Sequence, residues 1–165
     1  MTPGDVPLNA DLLSETEKFL HEKIPITRAM GVRVESFGEG QFVIVAPIER
    51  NHNHLHTAFG GSLSAMATLA GYGFLWLELR DPDVHVVIKE SAIRYRRPVH
   101  GDIRAICRKP DDAVLSSFKS DFARKGKARI LLNVEIVEDE IAAVEFQGTF
   151  VAVRRVPTSD DSRPA

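Results

Sequence analysis

Between Ser62 and Leu79 the chain carries no proline and a single charged side chain, Glu78. The stretch is too long for an ordinary strand and holds strong helix formers, Leu63, Ala65, Met66, Ala67, Leu69 and Ala70. It therefore predicts a helix of roughly 27 Å at 1.5 Å per residue. Apolar side chains surround nearly its whole circumference, whereas a surface helix keeps a polar face from end to end. Ser, Thr and Gly interrupt it too often for a membrane span. Such a helix has to be buried, and the rest of the chain must supply what covers it.

The flanking sequence supplies strands. Asn9 is placed to cap a first helix from Ala10 to about Lys23, with Leu12, Leu13, Phe19, Leu20 and Ile24 as a partial apolar stripe, and Ile24-Pro25 ends it. Val32 to Ser36, the turn Gly38-Glu39-Gly40 and Phe42 to Val45 read as a hairpin closed by Pro47. After the central helix, Val84 to Arg96 is a long strand and Ile103 to Arg108 a shorter one. Val114, Leu115, Phe118 and Phe122 recur at helical spacing up to Lys125-Gly126. Ala128, Ile130, Leu132, Val134 and Ile136 then alternate with a period of two, and a turn at Glu138-Asp139-Glu140 leads into a last strand, Ile141 to Val153. Six mainly antiparallel strands curled round one apolar helix would bury it, an α+β architecture. Residues 10–154 form one domain between flexible ends at 1–9 and 155–165.

The junction before the helix concentrates polar groups. His52, Asn53, His54 and His56 lead through Thr57-Ala58-Phe59 to Gly60-Gly61. The first amides of a helix have no intrahelical acceptor and sit at the positive end of its dipole, so a glycine pair there lets a carbonyl or phosphate oxygen approach them. Such amides can polarise a thioester carbonyl. The plainer reading of the pair is a turn with close backbone approach. Histidine has the right ordinary pKa for a general base, although loop histidines are often only solvated. Three alternating histidines in an extended loop would point one way, as a zinc site needs, but no supporting partner is visible, so no metal is expected.

The loop, Gly-Gly, the buried helix and the strand ending Ile93-Arg94-Tyr95-Arg96-Arg97-Pro98-Val99 resemble the hotdog-fold acyl-thioester enzymes. More narrowly, Asn53, Thr57 to Leu63, Leu69-Ala70-Gly71 and Phe146-Gln147-Gly148-Thr149-Phe150-Val151 are similar to the thioesterase domain at the C-terminus of YiiD-type acetyltransferases, over roughly residues 26–153. The resemblance implies a hotdog fold, a six-stranded sheet wrapped round the central helix, and a homodimer or dimer of dimers with sites at the subunit boundary. It implies an acyl-CoA or acyl carrier protein thioester as substrate, with no cofactor beyond the coenzyme A or phosphopantetheine of that substrate.

Family members with a His-Gly-Gly motif commonly carry an Asp or Glu about two and a half turns into the helix and an Asn six residues before the histidine. This chain has Asn53 at the Asn position, Phe59 in place of His and Thr68 in place of the carboxylate. Thr68 is no base near neutral pH, though its hydroxyl can orient a water or carbonyl, or simply bond back to its own helix. Asn53, His54, His56, Gly61 and Thr68 are the catalytic candidates, with Glu90 and Ser64 behind them. Phe59, Gly60, Ser62, Ser64, Arg96 and Arg97 are the substrate-binding candidates. Arg96 and Arg97, with Lys89 and Arg94, could meet coenzyme A phosphates or an acidic carrier protein, or form only a solvated face. Phe59 and the apolar helix face favour a medium or long acyl chain.

Hydrolysis leads this reading. A dehydratase or acyltransferase on the same substrates, or a non-catalytic acyl-thioester binding or dimerisation domain, stands beside it. A formal charge of −2 gives no general pull toward nucleic acid or anionic membranes. The one cysteine, Cys107, lies in a strand and reads as a small apolar filler rather than a nucleophile. No basic-then-apolar leader precedes the first helix, which gives the cytoplasm as the expected location.

Overall fold

The computed structural model describes residues 6–156, with side chains described from residue 10. The ends expected to be flexible therefore lie, for residues 1–5 and 157–165, outside the described residues. Its elements run α1 Val6–Lys23, α2 Ile26–Met30, β1 Arg33–Gly38, β2 Gln41–Ala46, a single 3-10 turn Ile48–Arg50, α3 Gly60–Leu79, β3 Val84–Tyr95, β4 Ile103–Arg108, α4 Asp112–Lys125, β5 Lys127–Glu138 and β6 Ile141–Arg154. The six strands form one antiparallel sheet in the order β1-β2-β4-β5-β6-β3, packed against α3 and open at β1 and β3. This is the hotdog arrangement that the resemblance implies.

Period-two alternation makes β5 the clearest strand. Ala128, Ile130, Leu132, Val134 and Ile136 all turn inward, while Arg129, Leu131 and Asn133 turn out. The inner face of the sheet meets α3 through Leu63, Met66, Ala67, Ala70, Phe74 and Leu77, all buried. Two glycines set how closely sheet and helix approach. A Cβ at Gly71 would run into the ring of Phe150, and one at Gly73 into the ring of Phe42. Cys107 is fully buried on β4, and burial pushes its thiol up to about 12, as a packing residue requires and a nucleophile would not.

α1 lies along the outer edge of the sheet. Phe19 stacks flat on Trp76 of α3 at 3.9 Å between ring centroids, and Glu17 Oε2 accepts the otherwise unpaired β1 amide of Val34 at 2.8 Å. That carboxylate blunts an edge that would otherwise offer free hydrogen-bonding groups.

Three details differ from expectation. α1 begins at Val6, so Asn9 lies within the helix and does not cap it. Past the Pro25 break the chain makes a further short helix, α2, ended by Gly31 in the left-handed conformation. Five residues are too few for periodicity to reveal. Finally, α3 begins with Gly60 and Gly61, two residues earlier than Ser62. Glycine's low propensity hid this, but at a helix terminus that preference counts for little.

Candidate active site

The loop that leads into α3 is held at four points. Asn51 O accepts from Phe59 N at 2.7 Å, His52 bridges Ala58 across the loop, and Val99 O accepts from Ala58 N at 2.7 Å. Asp102 Oδ1 accepts from Ile48 N at 3.1 Å. The segment carrying Val99 is itself pinned. Glu138, at the β5–β6 turn, accepts from the backbone amides of His100 and Gly101, the latter at 2.8 Å, and its Oε2 lies 3.2 Å from His100 Nδ1. Burial works to raise the Glu138 pKa, but the Gly101 and His100 amides and the His100 ring outweigh it, and the carboxyl sits below its ordinary value.

Within this frame α3 starts at Phe59, whose side chain caps nothing. Leu63 is the first residue to donate back, at 3.0 Å to Phe59 O, so the amides of Gly60, Gly61 and Ser62 precede the first intrahelical bond. The ring of Phe59 is 56% exposed and lies over Gly61, where a Cβ would strike it. Tyr95, at the end of β3, donates from its hydroxyl to Gly60 O at 3.3 Å, with its ring against Gly60. A cavity of about 360 Å³ opens beside this helix start. Its walls are Ile26, Ala29 and Met30 of α2, Arg50 and Asn51 of the loop, and Phe59, Gly61, Ser62 and Ala65.

The structure thus brings Phe59, Gly60, Gly61 and Ser62 together. Asn53 is nearby, but its side chain is occupied in building the loop. Its Oδ1 accepts from the amides of Leu55, at 2.8 Å, and Thr57, at 3.2 Å, while its Nδ2 donates to Thr57 Oγ1 at 3.0 Å. His54 and His56 are both exposed. The loop is a tight turn rather than an extended run, and His56 itself takes a left-handed conformation at φ 59°. The expected alternation of three histidines is therefore broken, and only the rings of His52 and His56 face each other, at 5.2 Å. Among the described residues no group of three or more His, Cys, Asp or Glu side chains could hold a metal ion.

Thr68 Oγ1 donates to Ser64 O at 2.9 Å, the back-bond to its own helix. Arg96 is held by Glu145 through two nitrogens at 3.0 and 3.1 Å. Arg97 is exposed and close in sequence to Val99. Glu90 lies five residues before Tyr95 on β3, about 16 Å along the strand at roughly 3.3 Å per residue. In its own chain it stands well away from the α3 start.

Sequence reasoning missed Asn51, Tyr95 as a contact of Gly60, and the Glu138 brace. Only Tyr95 left a trace, as the end of a strand aimed at the same region. Among the described residues no helix is long and apolar enough to cross a membrane.

The fold and this geometry have relatives. A protein of unknown function from Chlorobaculum tepidum superposes with a TM-score of 0.81 at 34% identity, covering 92% of this chain and all of its own. A putative thioesterase from Shewanella oneidensis superposes at 0.80 and 31% identity, covering 87% of this chain and 99% of its own. A probable thioesterase from Pseudomonas aeruginosa shares the fold at a TM-score of 0.74 and 23% identity, with 86% and 95% covered. Residues 13–154 match the family described as "Putative thioesterase (yiiD_Cterm)". With nearly the whole fold inside that match, the chain belongs to this thioesterase family of hotdog proteins.

Proposed function

We propose that the chain hydrolyses a medium- or long-chain acyl thioester of coenzyme A or acyl carrier protein. The observation that carries this reading is the glycine start of α3, with uncapped amides beside a cavity walled largely by apolar side chains. A thioester carbonyl oxygen placed at those amides would be polarised as negative charge develops on it. A water then adds to the carbonyl carbon while a loop histidine, His54 or His56, takes its proton. Collapse breaks the carbon–sulfur bond, and the leaving thiolate is protonated to free thiol. Asn53 holds the loop in shape. Thr68 takes no proton in this scheme, because its hydroxyl is bonded to Ser64 O. In this reading the exposed Arg97 meets a phosphate of the carrier.

The site is completed in this reading by a second copy of the chain. β3 ends the sheet, and its inward-facing Ile88 and Tyr95 are 36% and 52% exposed in the single chain. A homodimer joined along β3 would cover them and bring the loop histidines of one copy toward the α3 start of the other. With Thr68 standing where the resemblance implies a carboxylate on α3, the same fold could instead bind acyl thioesters without turnover, or transfer the acyl group.

The test is thiol release from acyl-CoA and acyl carrier protein thioesters of graded chain length, with sedimentation to give the assembly. Release by the native chain, lost in His54→Ala or His56→Ala with folding intact, is the expected result. Saturable acyl-CoA binding without release from any member of the panel would replace hydrolysis with the binding reading.

A further inference from the structure

Asn51 is 2% exposed and stands in the wall of the cavity beside Gly61. Both protons of its Nδ2 are used, one on Met30 O at 2.9 Å and one on Pro47 O at 2.8 Å. Exchanging the amide's oxygen and nitrogen would set oxygen against two carbonyl oxygens, so the orientation is fixed by its surroundings. Its Oδ1 is then the only buried side-chain nitrogen or oxygen among the described residues that has no hydrogen-bond partner. A buried acceptor left unpaired carries a desolvation penalty that a folded protein ordinarily avoids, and a donor brought by a ligand would remove it.

The surroundings narrow what kind of ligand that is. Asn51 is fixed directly beside the helix start, since its own carbonyl accepts from Phe59 N. Ile26, Ala29, Met30, Phe59 and Ala65 give the cavity mainly apolar walls suited to an alkyl chain. Ile26 and Phe59 are each 56% exposed at its rim and give it an apolar mouth. An amide from the carrier arm would bring a carbonyl that needs a donor of its own. A hydroxyl needs only the one acceptor that is vacant.

We propose that this cavity takes the acyl group and that Asn51 Oδ1 accepts a hydrogen bond from a hydroxyl on that chain, so that hydroxyacyl thioesters are the preferred substrates. The inference rests on the thioesterase reading for the carrier and the scissile bond, and adds the chemical class of the acyl group. Oδ1 is sealed from solvent in the free chain, so a neighbouring side chain of the cavity wall must give way as the acyl chain enters. In that wall the Arg50 side chain is held only by a long 3.4 Å bond to Arg28 O. Discrimination follows from pairing. A plain acyl chain leaves Oδ1 unsatisfied, and a hydroxylated one does not.

The experiment uses the native chain, because any change at Asn51 also removes the two Nδ2 bonds and could unfold the loop. Alkyl-CoA thioethers, which cannot be hydrolysed, are titrated calorimetrically with no hydroxyl and with one hydroxyl moved carbon by carbon from the third to the sixth position. One hydroxyl position is expected to bind about tenfold more tightly than the plain chain, the factor expected for one recovered hydrogen bond. Ala65→Phe, which fills the cavity from the helix side, is expected to abolish that preference while circular dichroism shows the fold retained. Equal affinity at every position, no binding by any thioether, or a hydroxyl preference that survives Ala65→Phe would overturn the proposal. Thiol release on hydroxylated and plain thioesters separates the two claims. Equal rates and equal affinities leave hydrolysis standing and remove the hydroxyl site. Hydroxyl-selective binding without release keeps the site and removes hydrolysis.

Discussion

Gly71→Ala is expected to destabilise the protein although alanine is the better helix former. In an exposed helix interior the exchange would gain about 1 kcal/mol. Here the new Cβ meets the Phe150 ring, with Cε2 at 2.6 Å and Cε1 at 3.3 Å, and Phe150 is only 1% exposed, with no open space to turn into. Overpacking costs about 1–3 kcal/mol, and a contact this close against a ring with nowhere to turn lies in the upper half of that range, about 2–3 kcal/mol. Offset by the propensity gain, the net loss is about 1–2 kcal/mol, or roughly 2–8 °C in Tm for a chain of this size. Gly61→Ala is the internal control. Its Cβ meets the Phe59 ring, but that ring is 56% exposed and can rotate outward, so stability changes by less than about 0.5 kcal/mol. The assay is urea unfolding followed through the fluorescence of Trp76, the chain's one tryptophan, at fixed protein concentration because assembly would shift the midpoint. Adding Phe150→Leu to Gly71→Ala should recover part of the loss in a double-mutant cycle. A Gly71→Ala protein as stable as the native one, or no coupling to Phe150, would refute the claim that this glycine sets the approach of sheet and helix.

Three further outcomes follow from single contacts. Glu138 has its carboxyl held below its ordinary value, so its contribution to stability is present above the unfolded-state pKa and lost as pH falls through the folded one. Glu138→Gln is expected to lose on the order of 1 kcal/mol at pH 7 and to converge on the native protein in melts at acid pH, and a constant difference at all pH values would contradict this. Cys107, its thiol raised to about 12 by burial, contributes stability fully present below the unfolded thiol's pKa of about 8.5 and lost as pH rises toward the folded value. It should resist a thiol reagent at pH 8 until urea unfolds the chain, and rapid labelling of folded protein would sink the filler reading. Phe19→Ala removes the ring stacked on Trp76, and a red shift in emission with a loss of about 1–2 kcal/mol is expected. An unchanged spectrum would mean that α1 does not dock on α3 in solution.

Much of the fold was legible because it rests on patterns that neighbouring residues carry alone. The apolar run of α3 and the alternation of β5 are written in chain order, and a hotdog sheet is an economical way to bury such a helix. The site was legible only as far as the Gly60-Gly61 start and the polar loop before it. The histidine alternation misled because side-chain direction follows the period of two only in an extended backbone. Asn53 Oδ1, by bonding the amides of Leu55 and Thr57, folds that backbone into a turn instead.

The sequence by itself determined a buried helix, six strands, the glycine start and the family, since each depends on residue type at fixed spacing. Tertiary structure alone decided which side chains meet there. Val99 reaches Ala58 across a gap of 41 positions, Glu138 braces the segment that carries Val99, and Tyr95 arrives at Gly60 from the far edge of the sheet. Asn51 looked like any loop asparagine until Met30 and Pro47 were found on its two amide protons. No local pattern encodes these meetings, because they depend on how strands distant in the chain are ordered in the sheet and on what remains unpaired once the core has closed.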